Sequence, residues 1–120
     1  MELIERQFRS IHEASHAVTA LALGGTVHSM TEMLTVTTNA SDWDDAIVLV
    51  AGNMGVLHQW GKLPNPTGGE DDYVQARAIL DGTGVAIAEA EAIAKDILAN
   101  AWPQVESIAN ALLTQVEKTK

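Results

Sequence analysis

Cysteine is absent from the 120 residues. Disulfides and thiolate zinc sites are therefore excluded, and nothing indicates an oxidising compartment. Aromatic residues make up only 4%, which with the many alanines favours close-packed helices over a β-sandwich. Basic residues are scarce: seven Lys and Arg stand against sixteen Asp and Glu, for a net charge of −9. Phosphate binding needs a basic face, so no nucleic-acid partner is expected. An acidic surface serves solubility instead. No apolar run reaches the roughly 20 residues of a membrane span. "MELIERQFRS" lacks the basic start and apolar stretch of a signal peptide, and a cytoplasmic protein is the expectation.

What is present suits one modest core. Hydrophobic residues make up 47%, and the length fits a single domain over residues 1–120. Ile4, Phe8, Ile11, Ser15, Val18 and Ala22 follow a 3.6-residue period, so residues 2–23 read as a helix that Gly24-Gly25 ends. "TVHSMTEMLTVTT" is rich in β-branched residues and reads as one or two short strands. Ser41 is a helix cap with Asp44 in the first turn, opening a buried helix over residues 42–60. "GKLPNPTGG" is a loop. A third helix starts near Glu70 and ends before Gly82 and Gly84. From Val85 to Lys120 the pattern is helical again, with Val105, Ile108, Ala109, Leu112, Leu113 and Val116 in one apolar stripe. Pro103 is expected to kink or break this last segment. The fold class is mainly α, with about four to five helices and a small β element.

"SIHEASHAV", residues 10–18, carries the chemistry. His12 and His16 lie four apart and so share one helix face, where their ring nitrogens can hold one metal ion. Glu13 lies about 100° further round, beside the metal and outside the ligand set. This is the zincin arrangement H-E-x-x-H: the metal polarises a carbonyl and acidifies water, and Glu13 takes the proton. Burial of two imidazoles and a carboxylate without partners costs several kcal/mol, and a metal would satisfy them. The plainer reading is a pair of surface histidines on a polar face with Glu5 and Arg9. A catalytic zinc normally takes a third protein ligand. The extended motif is absent, because Thr19 and Ala22 occupy its later positions. His28, His58 and the cluster Glu70-Asp71-Asp72 are all candidates, and spacing does not choose among them.

Other features are readily overread. Ala51, Gly52 and Gly55 form a small-residue face suited to close helix packing. Trp43, Trp60 and Trp102 read as core or rim anchors. Tyr73, beside Asp72, is either an oxyanion donor or, the favoured reading, a packing residue. "MLTVTT", residues 33–38, reads as an edge strand able to pair with extended peptide.

The chain resembles the peptidase domain of FtsH, the membrane-bound AAA zinc protease. "HEASHA" stands for the family's H-E-A-G-H-A, and "TVHSM" for its following strand. "GNMGVLHQWG", residues 52–61, matches G-R-A-A-E-E-L-x-F-G in length and end glycines. "TGGEDDYVQA", residues 67–76, matches T-G-A-x-x-D-x-x-x-A, whose aspartate is the family's third zinc ligand. The resemblance thus puts Asp72 with His12 and His16 on zinc, with Glu13 as general base. It implies a zincin-like helical domain and an endopeptidase cutting unfolded or extended polypeptide. FtsH is hexameric, which leaves a homo-oligomer open, but no ATPase domain is present in this chain. Ser15 replaces the motif's glycine, Val56 and Leu57 replace its paired glutamates, and the stretch from His16 to Asp72 is shorter. The alternatives are a catalytically degenerate domain that acts as a binding or regulatory module, and a metal enzyme acting on another bond.

Overall fold

Helix-forming segments punctuated by glycine and proline set the layout. The computed structural model describes residues 3–63 and 69–118, with side chains as far as residue 114. Among the described residues the elements are α1 (Leu3–Ala22), β1 (Thr26–Met30), β2 (Thr35–Thr38), α2 (Asp42–Trp60), α3 (Glu70–Leu80), α4 (Ile87–Asn100) and α5 (Trp102–Lys118). The molecule is mainly helical with a small antiparallel β element, in line with the sequence. Of the loop expected over residues 61–69, Pro64 to Gly68 lie outside the described residues.

The helix ends follow from local chemistry. After α1, Gly24 takes a left-handed φ of 83°, open to glycine at no steric cost. The Gly25 N–H then donates to the Ala20 carbonyl at 2.8 Å, satisfying an orphan acceptor. Ser41 caps α2, its hydroxyl accepting the Asp44 N–H at 3.1 Å. The C-terminal stretch breaks rather than kinks. Asn100 ends α4, and α5 restarts at Trp102 with Pro103 in its first turn, where a missing N–H leaves no bond unmade. Val85 and Ala86 fall outside helix, and Val85 donates to the Thr83 hydroxyl at 3.1 Å.

In the hairpin, Thr26 faces Thr38 and Met30 faces Thr35. The register slips between Val27 and Ser29, so His28 is the extra residue of a bulge. Among the described residues β2 pairs only with β1, which makes its other side an edge.

At the centre lies α2, which packs on α1, α3 and α4, while α5 covers another flank of α1. Ile47, Val50 and Ala51 of α2 are fully buried with Ala14 and Val18 of α1 and Leu98 of α4. Val105, Ala109 and Leu112 of the expected stripe are buried, and Ile108 packs against the core. The Val116 side chain lies outside those described. All three tryptophans sit partly buried at the core's rim, Trp60 against Phe8 with ring centroids 4.3 Å apart. Arg6 ties α1 to the hairpin turn and to α5: its Nε meets buried Glu32 at 3.1 Å, and its Nη2 donates to the Leu113 carbonyl at 3.1 Å.

Candidate metal centre

Burial of α1 from Ser10 to Ala20, apart from partly exposed His12 and Glu13, carries His16 into the interior and His12 to its margin. The two rings meet edge-on with centroids 4.6 Å apart, as i, i+4 spacing requires. Two glycines on α2 make room for α1. A Cβ on Gly52 would lie 2.5 Å from Cε1 and Nε2 of His12. A Cβ on Gly55 would collide with the Ser15 hydroxyl. The small-residue face thus serves close helix packing, and it packs against the histidine helix itself.

His16 has a defined tautomer. Its Nδ1 lies 2.7 Å from the Val48 carbonyl, and a carbonyl only accepts, so Nδ1 carries a proton. In the neutral ring the Nε2 lone pair is then left facing the site. That Nε2 lies 3.1 Å from Oδ2 of Asp72, and so does Nε2 of His12. Asp72 reaches this point from the first turn of α3, where the positive end of the helix dipole favours an ionised carboxylate.

Lone pairs and a carboxylate oxygen this close repel unless a proton or a cation lies between them. In the metal-free arrangement the proton serves. Burial pushes the His16 imidazole down, but the hydrogen bond and charge of Asp72, with the charge of Glu13 and the Val48 carbonyl, outweigh it and raise its pKa. Burial pushes Asp72 up, and the hydrogen bonds and charges of His12 and His16 outweigh that, holding its carboxyl well below the usual range. A metal fits the same space. Donors about 2.0–2.2 Å from a tetrahedral zinc lie roughly 3.3 Å apart. The three donor atoms here all lie within 4.8 Å of one another. Two imidazole nitrogens and a carboxylate oxygen are also an apt zinc donor set.

Glu13 lies outside the converging group and on the same cavity wall. The Thr35 hydroxyl lies 2.8 Å from its Oε1 and 3.2 Å from its backbone carbonyl. Thr35, Val48 and Gly52 thus support the site, and the sequence had not singled out any of them for it. The cavity holds about 870 Å³ between α1, β2, α2 and α3. Leu34, Thr35, Val36 and Thr37 all line it, so the free edge of β2 runs beside the cluster.

The remaining candidates stand apart. His28 Nε2 lies 2.6 Å from the Thr38 hydroxyl, and His58 stacks on Trp102 with centroids 4.1 Å apart. Asp71 lines the cavity without joining the cluster. The Tyr73 hydroxyl donates to Oε2 of Glu91 at 2.6 Å, and burial together with that carboxylate raises its pKa. It fastens α3 to α4, which is the packing role. Val56, where the resemblance would put a glutamate, is buried in the core at the cavity's edge, and Leu57 packs on the core. No protein-family model, no curated protein and no solved structure matches this chain. Among the described residues no helix is long and apolar enough to cross a membrane.

Proposed function

We propose that this chain is a zinc-dependent endopeptidase of the FtsH peptidase type, acting on unfolded or extended polypeptide. The observation that carries the reading is the convergence of His12, His16 and Asp72 within 4.8 Å, with Glu13 on the adjoining wall. A zinc ion bound there supplies Lewis acidity, which polarises a carbonyl and lowers the pKa of water. Glu13 accepts the proton from water and later delivers it to the leaving amine. Thr35 holds Glu13 through one carboxylate oxygen, which fixes its aim. Val48 fixes His16 in the tautomer a metal ligand needs. An extended substrate pairs with the main chain of β2, and the alternate side chains fall into the groove.

The departures from the family pattern fit together at one point. Where the family motifs have glycine and alanine, this chain has Ser15 and Gly55, and the absence of a Cβ at Gly55 leaves room for the Ser15 hydroxyl. A second reading is a degenerate binding module, favoured by the apolar Val56 and Leu57 at the paired-glutamate positions.

Glu13→Gln separates the two. It keeps the side chain's shape and removes the base. Zinc is expected to stay while cleavage of unfolded casein falls by about 10²–10⁴-fold. Zinc lost with activity means that Glu13 is a ligand or a prop. An unmodified protein that holds zinc and binds unfolded peptides without cutting them is the binding module.

A further inference from the structure

The cavity beside the cluster carries more negative charge than the reaction uses. Besides Glu13 and Asp72, its walls bear Glu5, Asp45 and Asp71, against a single guanidinium, that of Arg9. Arg9 stands four residues from both Glu5 and Glu13 on α1, the spacing of helical ion pairs. Its Nη1 reaches the Met33 sulfur at 3.4 Å. Asp45 and Asp71 have no such companion: among the described residues neither forms an ion pair with Lys or Arg. Asp45 also stands in the first turn of α2 with Asp42 and Asp44, so its neighbourhood repels anions. The same lining also carries apolar side chains, among them Val36, Leu49 and Ile79.

We infer that the groove selects extended polypeptide bearing Lys or Arg side chains, with Asp45 and Asp71 receiving the cationic heads, a selectivity that rests on the peptidase reading of this site. Lysine and arginine match both halves of the lining. Their methylene stems cover apolar wall while the charged heads reach carboxylate. In a strand paired with β2, side chains two apart fall on one face, so alternating basic residues place several heads on the groove side. An acidic segment meets Asp45, Asp71 and Glu5 with like charge, offset only by Arg9.

The test uses zinc-loaded Glu13→Gln protein, so that binding is read without cleavage. Three fluorescent unstructured peptides of equal length carry Lys, Gln or Glu at alternate positions. Fluorescence anisotropy at low salt is expected to show the Lys peptide binding roughly tenfold tighter than the Gln peptide, with the Glu peptide weakest, and the spread shrinking as salt screens the charges. Asp45→Asn and Asp71→Asn are each expected to reduce the Lys advantage roughly three- to fivefold, the scale of one partly exposed ion pair. Asp96→Asn removes the same charge from an exposed position on α4, outside the cavity lining, and is expected to change nothing. Equal binding of all three peptides overturns the inference. So does an Asp96→Asn effect equal to that of Asp45→Asn, which would reduce the preference to net charge. If the unmodified zinc protein prefers the Lys peptide but cleaves no peptide, the groove's selectivity stands and the peptidase reading falls.

Discussion

Replacing Gly52 with alanine adds one methyl group, and its consequence for the site can be worked through. The new Cβ would stand 2.5 Å from Cε1 and Nε2 of His12 and 2.7 Å from Nδ1, about 0.9 Å short of the 3.4 Å of ordinary contact. The ring has to retreat by about that much. Zinc–ligand distances tolerate only about 0.2 Å, so His12 is carried out of ligand position. A displaced or misoriented ligand costs about 10–100-fold in metal affinity, or roughly 1.4–2.8 kcal/mol. The metal-free fold suffers less. Overpacking costs about 1–3 kcal/mol, and alanine recovers about 1 kcal/mol of helix propensity over glycine. The expected signature is a tenfold or greater loss of zinc affinity in competition with a chromophoric chelator. The EDTA-treated protein should meanwhile lose no more than about 2 kcal/mol in denaturant unfolding. Unchanged zinc affinity with a higher melting temperature would refute the reasoning, because it would mean that α2 does not press on the His12 ring.

Three further outcomes follow from the contacts of the site. Metal-free protein is expected to be most stable between about pH 4 and about pH 6.5. The His16 contribution is complete below the ordinary imidazole value of 6.5 and fades as pH rises through its raised pKa; the Asp72 contribution is present above the ordinary carboxyl value of 3.8 and is lost as pH falls towards its lowered one. Zinc reverses the upper limb, since it takes neutral imidazoles: thermal unfolding with and without EDTA should show a zinc-dependent gain that grows from about pH 5.5 to about pH 8, and parallel curves would contradict this. Gly55→Ala drives a methyl group into the Ser15 hydroxyl and should destabilise by about 1–3 kcal/mol; adding Ser15→Gly should recover most of that in chemical unfolding, whereas simple additivity would show that the two positions do not touch.

The parts of the fold that were legible in the sequence are those written locally. A 3.6-residue period and a glycine pair define α1. Ser41 and Gly61 bracket α2, and β-branched residues mark the hairpin. Pro103 marks the break between α4 and α5. His12 and His16 are legible because four-residue spacing is a property of the helix alone. Asp72 is not: it lies 60 residues from His12 and 56 from His16 in the chain, and local spacing could not select it over His28 or His58. Only the resemblance did so, and the structure brings the same three side chains together. The supporting groups were silent for the same reason. The Val48 carbonyl, the Thr35 hydroxyl and the open space at Gly52 act across helix–helix and helix–strand contacts that no local period encodes. Tyr73 shows the converse. Its place beside Asp72 suggested chemistry, but Glu91, on another helix, directs its hydroxyl away.

The most direct measurement is zinc titration of the metal-stripped protein and its alanine variants, read by calorimetry and by elemental analysis of the dialysed product. Convergence of His12, His16 and Asp72 on one point predicts about one tightly held zinc per chain. Asp72→Ala should lose that zinc, while Asp71→Ala, Glu70→Ala and His58→Ala should keep it. A chain that takes up no zinc, or one that loses it on Glu70→Ala or His58→Ala while Asp72→Ala retains it, would contradict the metal centre described above.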